Sequence, residues 1–497
     1  MGEPLPLGLV PAYHAARDPG RVFVSQGDAS LTRRELEVLA NRRARALAKF
    51  GIGHNDFVVL KMPPGLEVFE TSFALWKLGA TPLPVSDRTT DAELKACIDL
   101  VRPKAVIGQV GGVVGELGIP ADMAVDPSLS AEPHEPIVSK YWRAAMTGGS
   151  TGTPKIIVDH APSLCIPDEP MLGMQVDGVM LNPAPLYHSG PFGIAHRALF
   201  AGCHLVNMPR FDAAETLRLI EQDRVDWLYM VPTMMHRIWG LPEEQRNAFD
   251  VSSLNVVFHM ASACPDWLKE AWINWLGAEK IWELYSGAES PGRTIINGTE
   301  WLEHRGSVGR VQPGAEVGVF DENGRQCPTG EIGEVYFKSD GGREAAFHYI
   351  GAEGKWLGDW LSLGDLGYLD EDGYLYIVDR RTDLIVSGGI NVYPAEVEAA
   401  LDSYPGVGSS VVIGLPDPDL GQSVHAIVQV LADARGTFGD DDLRAFLAER
   451  LVRYKIPRTF EFVDQPLRDN AGKVRRSALR EERIKAANAR RLEPNAR

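Results

Sequence analysis

The chain has 497 residues, of which 44% are hydrophobic and 24% charged, a composition typical of a soluble globular protein with two or more domains. A formal net charge of −17 argues against a nucleic-acid partner, because a phosphate backbone repels an acidic surface. The five cysteines are scattered, which favours a reducing cytoplasm over a disulfide framework. No run of about 18 apolar residues indicates a membrane span, and no signal peptide is evident. We therefore expect a cytoplasmic protein whose positive groups are concentrated locally.

Helix and strand patterns alternate through the first two thirds of the chain. Residues 31–51, LTRRELEVLANRRARALAKFG, predict a helix with Thr32 as its N-cap and a glycine as its stop signal. Residues 56–62 and 81–86 predict strands on either side of a helical stretch at 65–80. This order predicts an α/β architecture with largely parallel sheets.

The pattern changes near residue 325 to short strands and turns. In residues 360–379, the DEDG turn between two aromatic-rich runs predicts a hairpin. A compact α+β region follows, with helices predicted at 395–404 and 441–452 and strands at 409–416 and 424–431. We place a domain boundary near Arg380, and we expect the charged residues 481–497 to fray.

The stretch MTGGSTGTPKIIV, residues 146–158, places three glycines, a serine and three threonines between Thr147 and Thr153. It is neither a Walker loop nor a dinucleotide fingerprint, since both need other spacings. Glycines allow backbone N–H groups to turn inward around an anion, while hydroxyls and Lys155 add donors and charge. Composition alone leaves two alternatives open, a phosphate-binding loop and a mobile surface loop.

Motifs along the whole chain favour the phosphate-binding loop. They are TGGSTGTPK, PLYHSGPFG, ASACP, ELYSGAE, GSVGR, LSLGDLGYLDEDGYLYIVDRRTDLIVSGGINVYPAEVE and PLRDNAGKVRR. In this order the chain resembles the adenylate-forming superfamily, which includes acyl-CoA synthetases, luciferases and the adenylation domains of peptide synthetases. The resemblance implies an N-terminal AMP-binding domain, residues 1–380, of parallel-rich αβ subdomains plus a small barrel-like β part. A small mobile α+β C-terminal domain, residues 381–497, follows a hinge near 380–383.

The resemblance also implies the residues that bind ATP or an acyl-adenylate. The β- and γ-phosphates are expected at Lys155 and at Thr147, Gly148, Gly149, Ser150, Thr151 and Gly152. Adenine and AMP contacts are expected from Ser262, Ala263, Cys264, Tyr285, Ser286, Gly287 and Ala288. Glu289 matches the acid that binds Mg²⁺, Asp365 the carboxylate that binds the ribose hydroxyls, and Arg380 the arginine near ribose and phosphate.

Three further roles follow from the resemblance. His188 is expected beside the acyl carboxylate, and Lys473 is expected to bridge that carboxylate and the α-phosphate, where a cation offsets developing charge. With Lys155, these are the expected catalytic residues. Gly388 and Gly389 are expected to let the pantetheine arm of CoA pass close to the backbone, although a β-turn explains two glycines equally well.

The chain departs from the family at Ala288, where a threonine is usual, and at Ser286, where glycine is usual. Losing a hydrogen bond to a charged partner costs about 1.5–3 kcal/mol, roughly ten- to a hundredfold in rate if it falls on adenylation. The main hypothesis is an ATP-dependent acyl-CoA ligase acting on a hydrophobic carboxylic acid. Two alternatives remain, a ligase that takes a preformed acyl-adenylate from a separate adenylating enzyme, and a non-catalytic nucleotide-binding protein.

One segment of the sequence bears on the identity of the acid. Met230, Met234, Met235 and Trp239 lie in a segment that the resemblance places near the acyl pocket. Methionines suit an irregular apolar ligand, but they fill protein cores more often.

Overall fold

The computed structural model describes residues 2–148, 154–167, 169, 171–343, 345–388, 390–469 and 472–492. The α-helices are α1 Val10–Arg17, α2 Arg33–Ala48, α3 Glu67–Lys77, α4 Asp91–Val101, α5 Ser189–Phe200, α6 Ala213–Asp223, α7 Pro232–Trp239, α8 Glu243–Arg246, α9 Asp266–Leu276, α10 Gly298–Glu303, α11 Pro394–Asp402, α12 Asp440–Ala448 and α13 Arg476–Leu492. Short 3-10 helices occupy Leu7–Leu9, Gly112–Leu117, Ala278–Lys280, Ala432–Ala434 and Arg453–Lys455.

The strands of the first 300 residues are β1 Leu5–Pro6, β2 Val22–Gln26, β3 Ala29–Thr32, β4 Phe57–Leu60, β5 Thr81–Pro84, β6 Ala105–Ile107, β7 Gly118–Ile119, β8 Ala144–Gly148, β9 Pro154–Asp159, β10 Leu164–Cys165, β11 Val179–Asn182, β12 His204–Asn207, β13 Trp227–Met230, β14 Val256–Met260, β15 Ile281–Tyr285 and β16 Thr294–Asn297. Those that follow are β17 Ser307–Val311, β18 Ala315–Phe320, β19 Gly333–Ser339, β20 Phe347–Ile350, β21 Lys355–Leu357, β22 Trp360–Leu369, β23 Leu375–Arg380, β24 Ile385–Ser387, β25 Ile390–Val392, β26 Val407–Asp417, β27 Gly421–Val430 and β28 Thr459–Val463.

Local sequence explains two predicted elements, α2 and the β22–β23 hairpin, and one strand that was not predicted, β13. Thr32 caps α2 through a capping box with Glu35, in which the Glu35 N–H donates to Thr32 Oγ1 at 3.2 Å. The run WLYM forms β13, where all four residues are buried, as expected of a parallel strand covered on both faces. The predicted hairpin is β22 and β23, which pair antiparallel with Asp365 opposite Arg380.

The central sheet has 14 strands in the order β18-β19-β22-β23-β17-β16-β15-β14-β13-β11-β12-β2-β3, with β21 beside β22. Its middle, from β2 through β12, β11, β13 and β14 to β15, is parallel, whereas β16 and β17 pair antiparallel. The fully buried side chains of Trp76, Trp227 and Trp272 belong to the large core packed around this sheet.

Two smaller sheets complete the large domain. One is parallel, in the order β5-β4-β6-β7, and the other is antiparallel, in the order β20-β9-β8. The second one carries Lys155 on β9 and Tyr349 on β20, next to the end of the central sheet. The prediction of a large, parallel-rich α/β domain is confirmed.

The small C-terminal domain is an α+β unit with its own core. Its five-stranded sheet has the order β25-β24-β27-β26, with β28 beside β27. Helices α11 and α12 pack against one face, where Val397, Leu401, Leu443 and Leu447 are buried. The boundary near Arg380 and the hinge at 380–383 stay predictions.

Two features differ from expectation. The barrel-like β part is open, because β17, β18, β19, β22 and β23 continue the central sheet without closing on themselves. Residues 481–492 are helical rather than frayed, because α13 is fixed to the domain: Arg480 Nε donates to Gly414 O at 2.7 Å, and Arg483 Nη2 lies 2.8 Å from Glu461 Oε1.

Candidate active site

A cleft of about 2530 Å³ lies between the two domains and is lined by residues of both. The cleft is larger than the roughly 300–1,000 Å³ of a site for one drug-sized molecule, so it has room for more than one substrate. It opens at the carboxyl ends of β13, β14 and β15, the edge where open parallel sheets bind ligands.

At one end of the cleft, Tyr285, Asp365 and Arg380 form a connected group. Tyr285 ends β15, and its hydroxyl donates to Asp365 Oδ2 at 2.6 Å. Arg380 Nε lies 3.5 Å from the other carboxylate oxygen of Asp365, and the arginine side chain is 70% exposed. Burial raises the pKa of Asp365, while Arg380 and the Tyr285 hydroxyl oppose that rise. The group therefore offers a fixed carboxylate and an exposed cation to a polar ligand.

The segment after β14 forms the adjacent wall. Ala261 has a φ of +79°, a left-handed conformation that is uncommon for a residue with a side chain. This turn presents Ser262, Ala263 and Cys264 to the cleft. Burial raises the pKa of the Cys264 thiol, so that it stays protonated and packs as a small side chain.

Lys155, Glu289 and Tyr349 form a second connected group in the cleft. Lys155 Nζ lies 3.2 Å from Glu289 Oε1 and 3.1 Å from the Tyr349 hydroxyl, which itself donates to Glu289 Oε1 at 2.5 Å. The ammonium group also lies 4.1 Å from the centre of the Tyr349 ring. Burial and the Glu289 charge raise the pKa of Tyr349, so its hydroxyl remains a donor.

Thr147 and Gly148 end β8 beside this group. The buried Thr147 Oγ1 has no hydrogen-bond partner within the described residues, which leaves a polar atom available to a ligand. Gly149, Ser150, Thr151 and Gly152 lie outside the described residues, so the predicted phosphate loop itself stays a prediction.

His188 and Lys473 approach each other from different domains. His188 is the N-cap residue of α5, and its Nε2 is buried without a hydrogen-bond partner among the described residues. Burial, followed by the charge of Lys473, lowers the pKa of His188 to about 4. Burial also lowers the pKa of Lys473. The charges of Asp469 and Glu289 oppose this shift, and the charge of Arg380 adds to it. The predicted catalytic lysine therefore lies inside the cleft, among residues of the large domain.

The loop that carries Lys473 contacts the large domain closely. Gly472 has a φ of +75°, and a Cβ placed there would lie 3.2 Å from Thr233 Oγ1 and 3.6 Å from Ser262 Oγ. Two hydrogen bonds hold the turn: the Asp469 N–H donates to Lys473 O at 3.0 Å, and the Lys473 N–H donates to the Asp469 carboxylate at 2.9 Å. Glycine lets this turn enter the cleft.

Ser286, Gly287 and Ala288 form the turn between Tyr285 and Glu289. The Ser286 hydroxyl donates to Gly292 O at 2.6 Å, which closes the turn. A Cβ on Gly287 would lie 2.6 Å from Glu289 Oε2. Ala288 packs beside an apolar cluster of Ile157, Phe347 and Leu361 while also lining the cleft. Ser286, which stands where the family usually has glycine, therefore stabilises the turn through this hydrogen bond.

Two groups of predicted residues are not brought together with the rest. Gly388 has a φ of +57°, and its N–H donates to Leu420 O at 2.9 Å on the C-terminal sheet, away from the cleft lining. Gly389 lies outside the described residues. Met230, Met234 and Met235 are buried in the core, and Trp239 packs against Trp275 and Arg246. The cleft is lined instead by other residues of that segment, Thr233, His236 and Arg237.

Sequence reasoning missed several residues that line the cleft, namely Arg143, Arg197, Arg293 and Tyr349. None belongs to a motif with a spacing that marks a site. The aromatic strand FHYI and the arginine four residues after Glu289 gave the only local signals, and their partners come from distant segments.

A cleft that offers a carboxylate–tyrosine–arginine group, a lysine–glutamate pair and a second lysine from a small domain defines a nucleotide-dependent enzyme of the adenylate-forming class. The profile of the AMP-binding enzyme family matches residues 12–342, and that of the AMP-binding enzyme C-terminal domain matches residues 396–473. The chain belongs to the AMP-binding enzyme family.

Relatives and solved structures agree with this assignment. The chain is 31% identical to a 2-succinylbenzoate–CoA ligase of Geobacillus kaustophilus over 93% of this chain and 95% of that protein. It is 30% identical to a long-chain-fatty-acid–CoA ligase of Mycobacterium tuberculosis over 92% and 93% of the two chains. The o-succinylbenzoate CoA synthetase of Bacillus subtilis, in complex with AMP, has the same fold, with a TM-score of 0.82, 23% identity and coverage of 96% and 98%. The predicted class, an ATP-dependent acid–thiol ligase, is confirmed.

Proposed function

We propose that this enzyme couples a carboxylic acid to ATP, giving an acyl-adenylate and pyrophosphate, and then transfers the acyl group to CoA with release of AMP. In the first step a carboxylate oxygen attacks the α-phosphorus and pyrophosphate leaves. In the second step the CoA thiol attacks the acyl carbon and AMP leaves. The placement of Lys473 among His188, Glu289 and Arg380 is the observation that carries the proposal.

The surroundings of each residue support the role that we propose for it. Asp365, held by Tyr285, accepts hydrogen bonds from the ribose hydroxyls, and the exposed Arg380 is free to turn toward phosphate. Lys473 stabilises negative charge that develops between the carboxylate and the α-phosphate. His188 is neutral at pH 7, so it borders the acid's carboxylate as a hydrogen-bonding group and not as a second cation.

Mg²⁺ fits the Glu289 carboxylate. Among the described residues no group of three or more His, Cys, Asp or Glu side chains could hold a metal ion. A single carboxylate nevertheless suits Mg²⁺, which keeps water ligands and binds substrate phosphates. Glu289, which contacts Lys155 at 3.2 Å, would hold the ion, and the ion when bound would offset phosphate charge.

The alternative, a ligase that accepts a preformed acyl-adenylate, is favoured by one observation, the methyl group of Ala288 where the family usually has a hydroxyl. It would need a separate adenylating enzyme. The same proposal includes CoA as the acceptor, the predicted roles of Gly388 and Gly389, and a cytoplasmic location. No helix in the described part of the chain has both the length and the hydropathy needed to cross a membrane.

Two assays on the purified protein test the proposal. Exchange of labelled pyrophosphate into ATP, with Mg²⁺ and a panel of aromatic, fatty and dicarboxylic acids, measures adenylation. Conversion of synthetic acyl-AMP plus CoA measures thioester formation. We expect both with the same acid. Thioester formation without exchange would favour the alternative, and neither activity with any acid, despite tight AMP binding, would leave only a binding protein.

A further inference from the structure

Three arginines line the part of the cleft that runs beside α5, namely Arg143, Arg197 and Arg293. Arg143 comes just before β8 and is 8% exposed, Arg197 belongs to the last turn of α5, and Arg293 follows the turn that contains Glu289. Three cations at one wall need anions or solvent, because a buried charge without a partner is destabilising.

Arg143 has partners of its own. Its Nε lies 3.3 Å from Asp159 Oδ2, it donates to the Ser189 carbonyl, and it stacks 4.5 Å from the centre of the Trp142 ring. Asp159 is therefore already paired. A Cβ on Gly193 would lie 2.7 Å from Arg143 Nη1, so this glycine makes room for the arginine beside α5.

Arg197 and Arg293 have no carboxylate partner within the described residues. Arg197 Nη1 lies 3.0 Å from Met171 Sδ, and its guanidinium group lies 5.1 Å from the centre of the Trp142 ring. Arg293 Nε is buried without a hydrogen-bond partner in this part of the chain. Burial, followed by the charge of Arg143, lowers the pKa of Arg197 to about 10, and Arg293 contributes to the same shift. The Asp159 charge opposes this shift, but Asp159 is already paired with Arg143, so these two arginines have no ion-pair partner of their own among the described residues.

The position of Arg197 along α5 can be compared with that of His188, which is expected beside the reacting carboxylate. His188 caps the start of α5, and Arg197 comes nine residues later, an axial rise of about 13 Å. Side chains on a helix lean toward its N-terminus, which shortens the separation between the two groups. The cleft lining along this part of α5 includes Ile194, and Tyr229 and Met260 lie against Gly190 in the first turn of the helix. A molecule with two polar ends and an apolar middle matches this arrangement.

We propose that the acid activated at His188 and Lys473 carries a second carboxylate, which Arg197 and Arg293 bind at the far end of an apolar spacer. This inference rests on the proposed function, since it assigns the substrate class of that site. A guanidinium group pairs with a carboxylate through two parallel hydrogen bonds, and such charge-assisted bonds are strong where water is excluded. An acid that ends in a methyl group would leave both arginines without an anion.

The test uses matched pairs of acids. Linear dicarboxylic acids of six to ten carbons are compared with the monocarboxylic acid of the same length and with the monomethyl ester of each diacid. We expect kcat/KM for the best diacid to exceed that for both neutral-ended analogues by about 10- to 100-fold. Equal or better activation of the monocarboxylic acids would overturn the inference.

Variants assign the effect to the arginines. R197M and R293M remove a charge at similar side-chain length, and each should lower the diacid-to-monoacid ratio of kcat/KM by about tenfold or more. R197K keeps the charge but not the paired hydrogen bonds, and should retain part of the preference. R224M serves as the matched control, because Arg224 is 60% exposed on the surface beside Asp250 and should leave the ratio unchanged. Thermal unfolding of each variant checks that it folds.

A binding measurement separates this inference from the proposed function. Calorimetric titration of the AMP-loaded protein with the diacids needs no turnover. Binding that R197M weakens at least tenfold, in a protein that forms no acyl-CoA, would support the inference while the proposed function fails. Turnover of monocarboxylic acids without diacid binding would overturn the inference while the proposed function stands.

Discussion

Ala288 is the residue at which the local sequence bears most directly on the chemistry. Its methyl group lines the cleft between Tyr285 and Glu289 and also packs beside the cluster of Ile157, Phe347 and Leu361. A threonine would keep a methyl group for that cluster and add a hydroxyl. The position therefore borders both the apolar cluster and the cleft, where a hydroxyl would face a bound ligand.

We expect A288T to raise the rate of pyrophosphate exchange by about tenfold, because a hydrogen bond to phosphate stabilises the adenylation transition state by about 1.5 kcal/mol or more. The measurement is exchange at saturating ATP, with acyl-AMP conversion measured in parallel. A288V is the matched control, since it adds the same volume without the hydroxyl. A rate that rises equally in both variants would show that packing, and not the hydroxyl, limits adenylation.

Ala261 is strained by its own Cβ. At a φ of +79° a non-glycine residue costs about 1–2 kcal/mol, whereas glycine adopts this conformation freely. Because glycine also adds entropy to the unfolded chain, we expect A261G to raise the free energy of unfolding by at most about 1 kcal/mol. The melting temperatures of A261G and A263G, measured by calorimetry, test this prediction. A263G is the control, because Ala263 does not have a positive φ. A lower melting temperature for both variants would contradict the prediction.

At the scale of elements, Gly309 determines how the open β region joins the central sheet. It lies in β17, where the pairing with β23 shifts register between Ser307 and Gly309. Its φ is +96°, and a Cβ there would lie only 2.2 Å from Ile295 O on β16. The sheet can bend at this point because the two backbones approach without a side chain between them.

G309A should therefore lower the free energy of unfolding by about 3 kcal/mol or more, because a backbone atom cannot move away as a side chain could. Gly306 provides the control, with a φ of +81° and open space around the position of a Cβ. G306A should cost about 1 kcal/mol, from backbone strain alone. Equal effects of the two substitutions on thermal unfolding would rule out the close contact as the cause.

At the scale of the molecule, the two domains meet through Lys473 and His188. Because the Lys473 charge opposes protonation of His188, K473M should raise the pKa of that imidazole above about 4. The pKa should stay below its usual 6.5, since burial is the larger cause. NMR titration of the His188 ring in both proteins measures the shift. An unchanged pKa would mean that the C-terminal loop lies elsewhere in solution.

The same pKa gives a stability prediction whose sign follows from linkage. The folded-state pKa of His188 lies below the unfolded value, so its contribution to stability is complete above about pH 6.5 and is lost as the pH falls toward 4. The loss should be smaller in K473M. The measurement is the free energy of unfolding of both proteins, obtained by chemical denaturation at pH 7 and at pH 5.

The sequence alone was sufficient for several periodic elements and for the class of enzyme. The capped helix α2 and the β22–β23 hairpin follow from local patterning, because side-chain periodicity and turn chemistry act over a few residues. The order of the motifs also identified the class of enzyme, which is confirmed, while the roles that it implies for Tyr285, Glu289, Asp365 and Lys473 stay predictions.

The tertiary structure alone decided which distant residues share a wall of the cleft. Met234 and Met235 face the core while His236 and Arg237 of the same helix line the cleft, a difference set by how α7 packs and not by composition. The open β region, the pairing of Lys155 with Glu289 and Tyr349, and the arginines beside α5 depend on contacts between segments up to 194 residues apart. Local sequence carries no signal for such contacts, because they form only when the sheets have brought those segments together.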